Sequence, residues 1–543
     1  MPAGERRLDV TWDERFDVIV VGSGAAGFTA ALTAAADGAS VVVLEKAAMT
    51  GGTTRKSAAW FWVPNNRLMR AAGIDDPRDS ALQYMARLAR PAEYAPSHPT
   101  LGLPAEEFAA LEAFYDHGDE ALAALEELGA LDVGGVMEFP DYFAHLDEDV
   151  PKRGRSLWPA AAEGGQQGGQ VLLEGFHRAA DRLGVEVRTS TPAVDLVLGE
   201  DGEALGVVVD GERGRQRVRA ERGVVFATGG FTHDPALRRD HLRGPYVGGC
   251  AAVTNTGDFV KLAQAAGAVL ANMQQAWSAP IVLERLQRDP GGVAGSFVIP
   301  GDGLIIVNRA GERVLNEKAP YHEQTRAFFS WDPVSGRYPN LPLIAIWDEQ
   351  VAATVGGVDF GNPVPPAHVD AYWVIGADDL AGLETAIAER LTAVGLAAGH
   401  DRLAPDFEAN LRRTLARYGD FADSGVDLDF RRGETPIELA GAAMFGPGDG
   451  ANPTMRRLSE TGPYYATLLG PGTLDTKGGP RVDVQGRVLR ADGSTIPGLY
   501  GAGNCVASPS GEAYWGAGGT IGPIFCFAYL AGRHVAARVG AAA

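Results

Sequence analysis

Cysteine, long apolar runs and positive charge are what this chain has least of. Its three cysteines, Cys250, Cys505 and Cys526, form no CxxC pair and no metal-like spacing. Free thiols in a reducing cytoplasm are therefore expected, and no metal site. No uncharged apolar run reaches the roughly 18 residues that a membrane-crossing helix needs. The longest apolar stretch, residues 520–531, reads as a buried helix. The opening MPAGERRLDVTWDERFD has no apolar segment of the signal-peptide kind, so none is expected, and the expected location is cytoplasmic. Lys and Arg total 48 against 69 Asp and Glu, a net charge of −21. That balance argues against nucleic acid as a partner and gives no attraction to an anionic membrane. Internal repeats and low-complexity segments are missing too.

Glycine is what the chain has in excess, 71 of 543 residues. Many fall in short loops between apolar runs, as phosphate-cradling turns require. The length predicts two domains or more. Residues 16–46, FDVIVVGSGAAGFTAALTAAADGASVVVLEK, carry the most specific pattern. A buried-strand run is followed by Gly22-Ser23-Gly24-Ala25-Ala26-Gly27, an Ala-rich helix, a second apolar run, and Glu45. This is the G-x-G-x-x-G dinucleotide fingerprint with its acidic residue about 20 positions on. Gly22 allows the turn, Gly24 lets backbone approach a pyrophosphate, and Gly27 lets helix and strand pack closely. The helix N-terminus offers unpaired N–H groups, and Glu45 is placed to accept ribose hydroxyls.

Further on, Lys46 leads into Gly51-Gly52-Thr53-Thr54, with Ser57 following, a set of backbone and hydroxyl donors suited to phosphates and a flavin ring. Trp60-Phe61-Trp62 is either core or pocket lining. Residues 193–210 read as two alternating runs around a hairpin turn. A strand at 223–227 ends in Thr228-Gly229-Gly230. Asp258, after Asn255-Thr256-Gly257, is either a helix N-terminal acid or a cofactor contact. Composition shifts near Gly291, and residues 343–440 look like an inserted domain. The chain ends with Gly503-Asn504 and a second glycine loop, Gly518-Gly519-Thr520-Ile521, opening a last helix. Both terminal loops are expected to return to the same cofactor.

Taken together, the N-terminal fingerprint, ATGG, NTGD, LNE, TKGG and GLYGAGN resemble the fumarate reductase/succinate dehydrogenase flavoprotein superfamily over essentially the whole length. YWGAGGTIG and SAAWFWVPNN look more like the FAD-dependent 3-ketosteroid dehydrogenases within it, the Δ1 type especially. The resemblance implies an α/β fold: a Rossmann-like, GR2-type FAD-binding domain (1–292 and 465–543) interrupted by an α+β catalytic domain (293–464). It implies non-covalent FAD, held by the turn, Glu45, Lys46, Gly52, Thr53, Thr54, Ser57, Ala193, Val194, Thr228, Gly229, Asp258, Gly503, Asn504, Gly519, Thr520 and Ile521.

Fumarate reductases carry an arginine acid five residues after the Asn of their NE motif; that position here is Tyr321. They also place a histidine before T-x-G-G, where Leu474-Asp475 stand. An Arg-poor, Asp-bearing site suits a dicarboxylate poorly, which sets fumarate and succinate aside. The ketosteroid dehydrogenase likeness implies instead that Tyr514 and the Gly518 amide bind a ketone oxygen, an oxyanion-hole role. It implies that Tyr321 removes the α proton with Tyr142 assisting, while the β hydrogen leaves as hydride to flavin N5. A tyrosine titrates near 10, so only about 0.1% is phenolate at neutral pH, and a second phenol or His322 is expected to help. The expected substrate is a small hydrophobic ring ketone; the expected acceptor is quinone-like. Trp515 and Ala58-Ala59 are bulkier than the family pattern and are expected to trim the pocket. Open alternatives are a smaller cyclic ketone, Δ4 regiochemistry, an enone reductase, and an electron-transfer subunit without a substrate.

Overall fold

The structure is a computed structural model that describes residues 11–136, 138–160, 168–357, 361–366, 369–444 and 448–539. Its first strand, Glu14–Val21, runs parallel to Val41–Leu44 on one side and to Gly214–Phe226 on the other. Val18, Ile19 and Val20 are fully buried, which explains the unbroken apolar run: a parallel strand covered on both faces has no polar side to present. Glu186–Arg188 extends the sheet beyond Val41–Leu44, and Thr495–Gly501 pairs parallel with Gly214–Phe226. Chain separated by more than 250 residues thus closes one sheet, and the last strand is sequence that the opening fingerprint cannot announce.

One face of this sheet is covered by the helix Ala25–Ala36 and the C-terminal helix Ile521–Ala537. Their alanines and Gly532 let the two axes come close; a Cβ at Gly532 would lie 2.7 Å from the Ala30 carbonyl oxygen. The strands Ala193–Leu198 and Ala204–Gly211 form the expected hairpin and join the sheet through Gly214–Phe226.

A second, six-stranded sheet is built on the long strand Tyr464–Thr476. Ala276–Val282 and Leu343–Asp348 pair antiparallel along its two sides. Helices Leu380–Val394 and Phe407–Ser424 bury Leu383, Ile387, Leu391 and Leu411 against this sheet. Tyr464–Thr476 continues directly into the segment that reaches the first sheet, so it fixes the second sheet against the first. Between the two lies the space described next. Among the described residues no helix is long and apolar enough to cross a membrane, no cluster could hold a metal ion, and all three cysteines are free and buried.

Candidate active site

A groove runs over the C-terminal ends of the parallel strands, where ligands of such sheets bind. Gly22, Ser23, Gly24, Ala25, Ala26, Glu45, Lys46, Gly52, Thr53, Thr54, Ala193, Thr228, Gly229, Asp258, Gly503 and Asn504 all line it. Its local causes are steric. Gly22 sits at φ +105, and a Cβ there would meet the Ala227 carbonyl oxygen at 2.3 Å. Gly27 does not line the groove; a Cβ on it would lie 1.9 Å from the Gly22 carbonyl oxygen, so its task is helix–strand contact. Glu45 takes the Ser23 hydroxyl at 2.6 Å and the amides of Ser23 and Ala47, so it braces the turn as well as facing the groove. Lys46 pairs with Asp258 at 2.6 Å and with the Thr256 hydroxyl at 2.8 Å. Asp258 begins the helix Asp258–Ala265 and lines the groove, so it is a helix N-terminal acid on the groove wall.

Asp475 belongs here and not with the substrate. Its carboxylate accepts from the Gly230 amide at 2.9 Å, Asn255 Nδ2 at 2.7 Å, the Thr232 hydroxyl at 3.0 Å and Asn504 Nδ2 at 3.3 Å. It ties the Thr228–Gly229–Gly230 turn to the Gly503–Asn504 loop. The groove suits FAD on three observations. Its backbone approaches are glycine, the first turn of Ala25–Ala36 holds no acidic side chain to repel phosphate, and the buried Thr228 hydroxyl oxygen meets no N–H or O–H group among the described residues.

Thr53, Thr54, Asn504 and Ile524 line both the groove and a cavity of about 560 Å³ between the two sheets. That size lies within the range of small-molecule sites. Ser57, Ala58, Ala59, Trp60, Tyr142, Tyr321, Tyr514, Gly518, Thr520 and Ile521 face it. Gly519 and Val194 line neither space. The Trp60-Phe61-Trp62 segment divides: Trp60 lines the cavity, whereas Phe61 and Trp62 are core.

Tyr142, Tyr321 and Tyr514 form a mutual edge-to-face triad, with ring centroids 5.4 to 5.9 Å apart. Each is placed by a different device. Tyr321 opens the short helix Tyr321–Arg326, behind Pro320. The preceding Glu317 anchors that corner, accepting from Arg313 at 2.7 Å, Arg432 at 3.2 Å and the Ile306 amide at 3.1 Å. Tyr142 is held by its neighbour Asp141, which bonds buried Arg155 at 2.8 Å and the Trp62 indole at 2.7 Å. Arg155 also takes Asp76 and Asp149, so a buried cation collects three carboxylates. Burial and the nearby Asp149 push Asp141 up to about 7 against the pull of Arg155. Tyr514 follows Gly511-Glu512-Ala513, whose carbonyls bond Lys477 and His322.

Gly518 has φ +90, and a Cβ on it would lie 2.5 Å from the Phe61 nitrogen. Its carbonyl accepts from Trp62 at 3.0 Å, while its N–H has no protein acceptor among the described residues and borders the cavity. Burial holds all three phenols above the ordinary tyrosine value; Tyr321 is raised further by Tyr142 and Tyr514. At neutral pH the triad is a set of hydrogen-bond donors.

Two expected neighbours act elsewhere. Both His322 nitrogens are taken by backbone, Nδ1 accepting from the Ser278 amide at 3.1 Å and Nε2 facing the Glu512 carbonyl at 3.0 Å. The ring is neutral, lowered by burial and Lys477, and orients Tyr514 without relaying protons. Trp515 turns away from the cavity into Trp62 and Phe114, so it does not trim the pocket. Sequence reasoning missed Lys56, Cys250, Arg285 and Phe297, which also line the cavity. Lys56 stands in a motif that was read only for its hydroxyls. Arg285 lies in the short helix Leu283–Arg288, and Cys250 and Phe297 lie in loops, none with a motif signal.

The chain matches the FAD binding domain family over residues 17–521. It is 32% identical to a 3-oxosteroid 1-dehydrogenase of Mycolicibacterium smegmatis, covering 97% of this chain and 98% of that one. It is also 32% identical to a 4-oxocyclohexanecarboxylate 2-dehydrogenase of Sinomonas cyclohexanicum, with 96% and 93% covered. The crystal structure of a 3-ketosteroid Δ1-dehydrogenase from Sterolibacterium denitrificans, in complex with 1,4-androstadiene-3,17-dione, superposes with a TM-score of 0.79 at 25% identity. That match covers 96% of this chain and 100% of the other.

Proposed function

We propose, on the premise that this chain belongs to the FAD binding domain family and is an FAD-dependent oxidoreductase, that it introduces a C=C bond α,β to a ring ketone. The observation that carries this reading is the convergence of Tyr514, the free Gly518 N–H, Tyr321 and Tyr142 on one cavity contiguous with the cofactor groove. Relatives named as acting on oxosteroids and on an oxocyclohexane acid support the same class.

Tyr514 and the Gly518 amide donate to the ketone oxygen. Two donors in a buried site stabilise the enolate charge as it develops, which acidifies the adjacent C–H. Tyr321, as the phenolate, takes the α proton at its oxygen and becomes neutral, with the Tyr142 hydroxyl donating to that oxygen while it is charged. Since burial raises these phenols, the reactive form is a minority phenolate, and enolate stabilisation must come first. FAD, bound non-covalently in the groove, supplies the hydride acceptor at the β carbon. Trp60, Ala58 and Ala59 keep water from the reacting face. Electrons then pass to a quinone-like acceptor, and residues 293–464, inserted between the two cofactor-binding parts, supply Tyr321 to a site that those parts complete with Tyr142, Tyr514 and Gly518.

The test is anaerobic mixing of the holoenzyme with 4-androstene-3,17-dione and with saturated cyclohexanones. Bleaching of the oxidised flavin band by a saturated ketone is expected. Reoxidation of the reduced enzyme by an enone, with no bleaching by any ketone, would make it an alkene reductase instead.

A further inference from the structure

Away from the tyrosines, Lys56 and Arg285 stand on the cavity wall and neither meets a carboxylate among the described residues. Lys56 Nζ donates to the Ala251 carbonyl at 3.0 Å and to the Gly291 carbonyl. An ammonium has three donors, so one remains. Arg285 gives one N–H to the Val293 carbonyl at 2.9 Å and lies over Trp373 at 5.1 Å, leaving most of its fork unused. Neither forms an ion pair among the described residues. Asp475, whose field reaches Lys56, is taken up by the groove, and Asp289 makes no salt bridge with it. The acids of the cavity wall are spoken for, Glu317 by Arg313 and Arg432 and Glu438 by Asn316 and Thr435. Lys318 also forms no ion pair, but it is bound by the Ile299 and Gly301 carbonyls and burial holds it well below the ordinary lysine value.

A half-buried ammonium without a counter-ion costs free energy that a structure retains where an anion is to be met. Desolvation depresses the Lys56 ammonium, the direction that a bound carboxylate would reverse. The two ends of the cavity are joined by short chain. Lys56 precedes Phe61 by five residues, at most about 18 Å extended, and the Phe61 nitrogen abuts Gly518. The wall segment running from Gly291 and Val293 at the cations reaches Phe297, whose ring lies 5.4 Å from that of Tyr321. Both ends line the one cavity of about 560 Å³, a volume in the range of small-molecule sites.

We propose that Lys56 and Arg285 form an anion subsite, and that the ring ketone accepted by this site carries a carboxylate on the side remote from Tyr514. This deepens the ring-ketone reading and rests on it. Lys56 and Arg285 are then specificity-determining residues, placed differently from the arginine that Tyr321 replaces.

The test compares 4-oxocyclohexanecarboxylate with its methyl ester in anaerobic flavin reduction by the holoenzyme. Calorimetric binding of cyclohexanecarboxylate, which has no ketone to react, is measured beside it. The acid is expected to half-saturate at a concentration at least about tenfold below the ester's. Lys56→Met and Arg285→Met are each expected to cut the acid-over-ester preference in kcat/KM by about tenfold or more, mainly through KM, with Lys56→Arg restoring part of it. Equal handling of acid and ester by the wild type would overturn the subsite, as would an unchanged preference in both Met variants. If no ketone bleaches the flavin, the ring-ketone reading falls by itself. The subsite is then decided by calorimetry: binding of cyclohexanecarboxylate that both Met variants lose supports it, and no binding by the wild type overturns it.

Discussion

The groove and the cavity share Thr53, Thr54, Asn504 and Ile524 but are built on opposite plans. The groove is shaped by backbone: Gly22 and Gly27 stand where a Cβ would strike a carbonyl, and the Asp475 carboxylate serves to tie loops together. The cavity is shaped by side chains from distant segments, each held by its own anchor. Arg155 with three aspartates holds the Tyr142 loop, Glu317 with two arginines holds Tyr321, and the Gly518 turn on Phe61 holds the Tyr514 loop. A backbone-built site tolerates little change and binds one cofactor; a side-chain-built site exchanges substrates by changing a few residues.

That contrast is best broken at its stiffest point. Gly27→Val would place a methyl-bearing Cβ 1.9 Å from the Gly22 carbonyl oxygen, forcing helix and strand apart. Purified protein is expected to keep less than about a tenth of its flavin absorbance, since overpacking against backbone finds no give. Tyr321→Phe should do the reverse, holding a full complement of FAD while the rate of flavin reduction by ketone falls about 10²- to 10⁴-fold, the span of a lost general base. Retained turnover would remove Tyr321 from that role. Tyr514→Phe removes one oxyanion donor but leaves the Gly518 amide, so a smaller loss of about 10²- to 10³-fold is expected, again with FAD bound.

The smallest effect is on pH dependence. The folded values of Tyr142, Tyr321 and Tyr514 are raised above the ordinary value near 10. Their neutral burial therefore stabilises the fold fully below that pH, and the contribution is lost as pH rises beyond it. The thermal midpoint of the holoenzyme should fall above pH 10, and less steeply in Tyr142→Phe. For the same reason the flavin-reduction rate should climb with pH through the neutral range, about tenfold per unit where a minority phenolate limits it; a rate flat from pH 6 to 9 would mean that no phenol titrates in the reaction.

The groove was legible because its determinants are local. Strand, turn, helix and acid fall within residues 16–46, and the structure keeps that order. The cavity was legible only where a residue sits beside a motif, as Tyr321 beside Asn316-Glu317 and Tyr514 beside the last glycine loop. Arg285 and Phe297 stayed invisible because their approach depends on the pairing of Ala276–Val282 with Tyr464–Thr476, nearly 200 residues apart in sequence. Misplacement had the same cause: nothing local tells that Asp475 turns toward the groove, Trp515 toward the core, or that His322 is spent on two backbone groups.

The central claim is that the tyrosine cavity removes an α proton from a ring ketone while FAD accepts the β hydrogen. Stopped-flow reduction of the bound flavin by cyclohexanone and by its 2,2,6,6-tetradeuterated form tests it most directly. Slower reduction with the deuterated ketone is expected, an effect that weakens as pH rises and the growing phenolate fraction makes proton removal less limiting. Flavin reduction at the same rate by both ketones across that pH range, or no reduction by either, would contradict it.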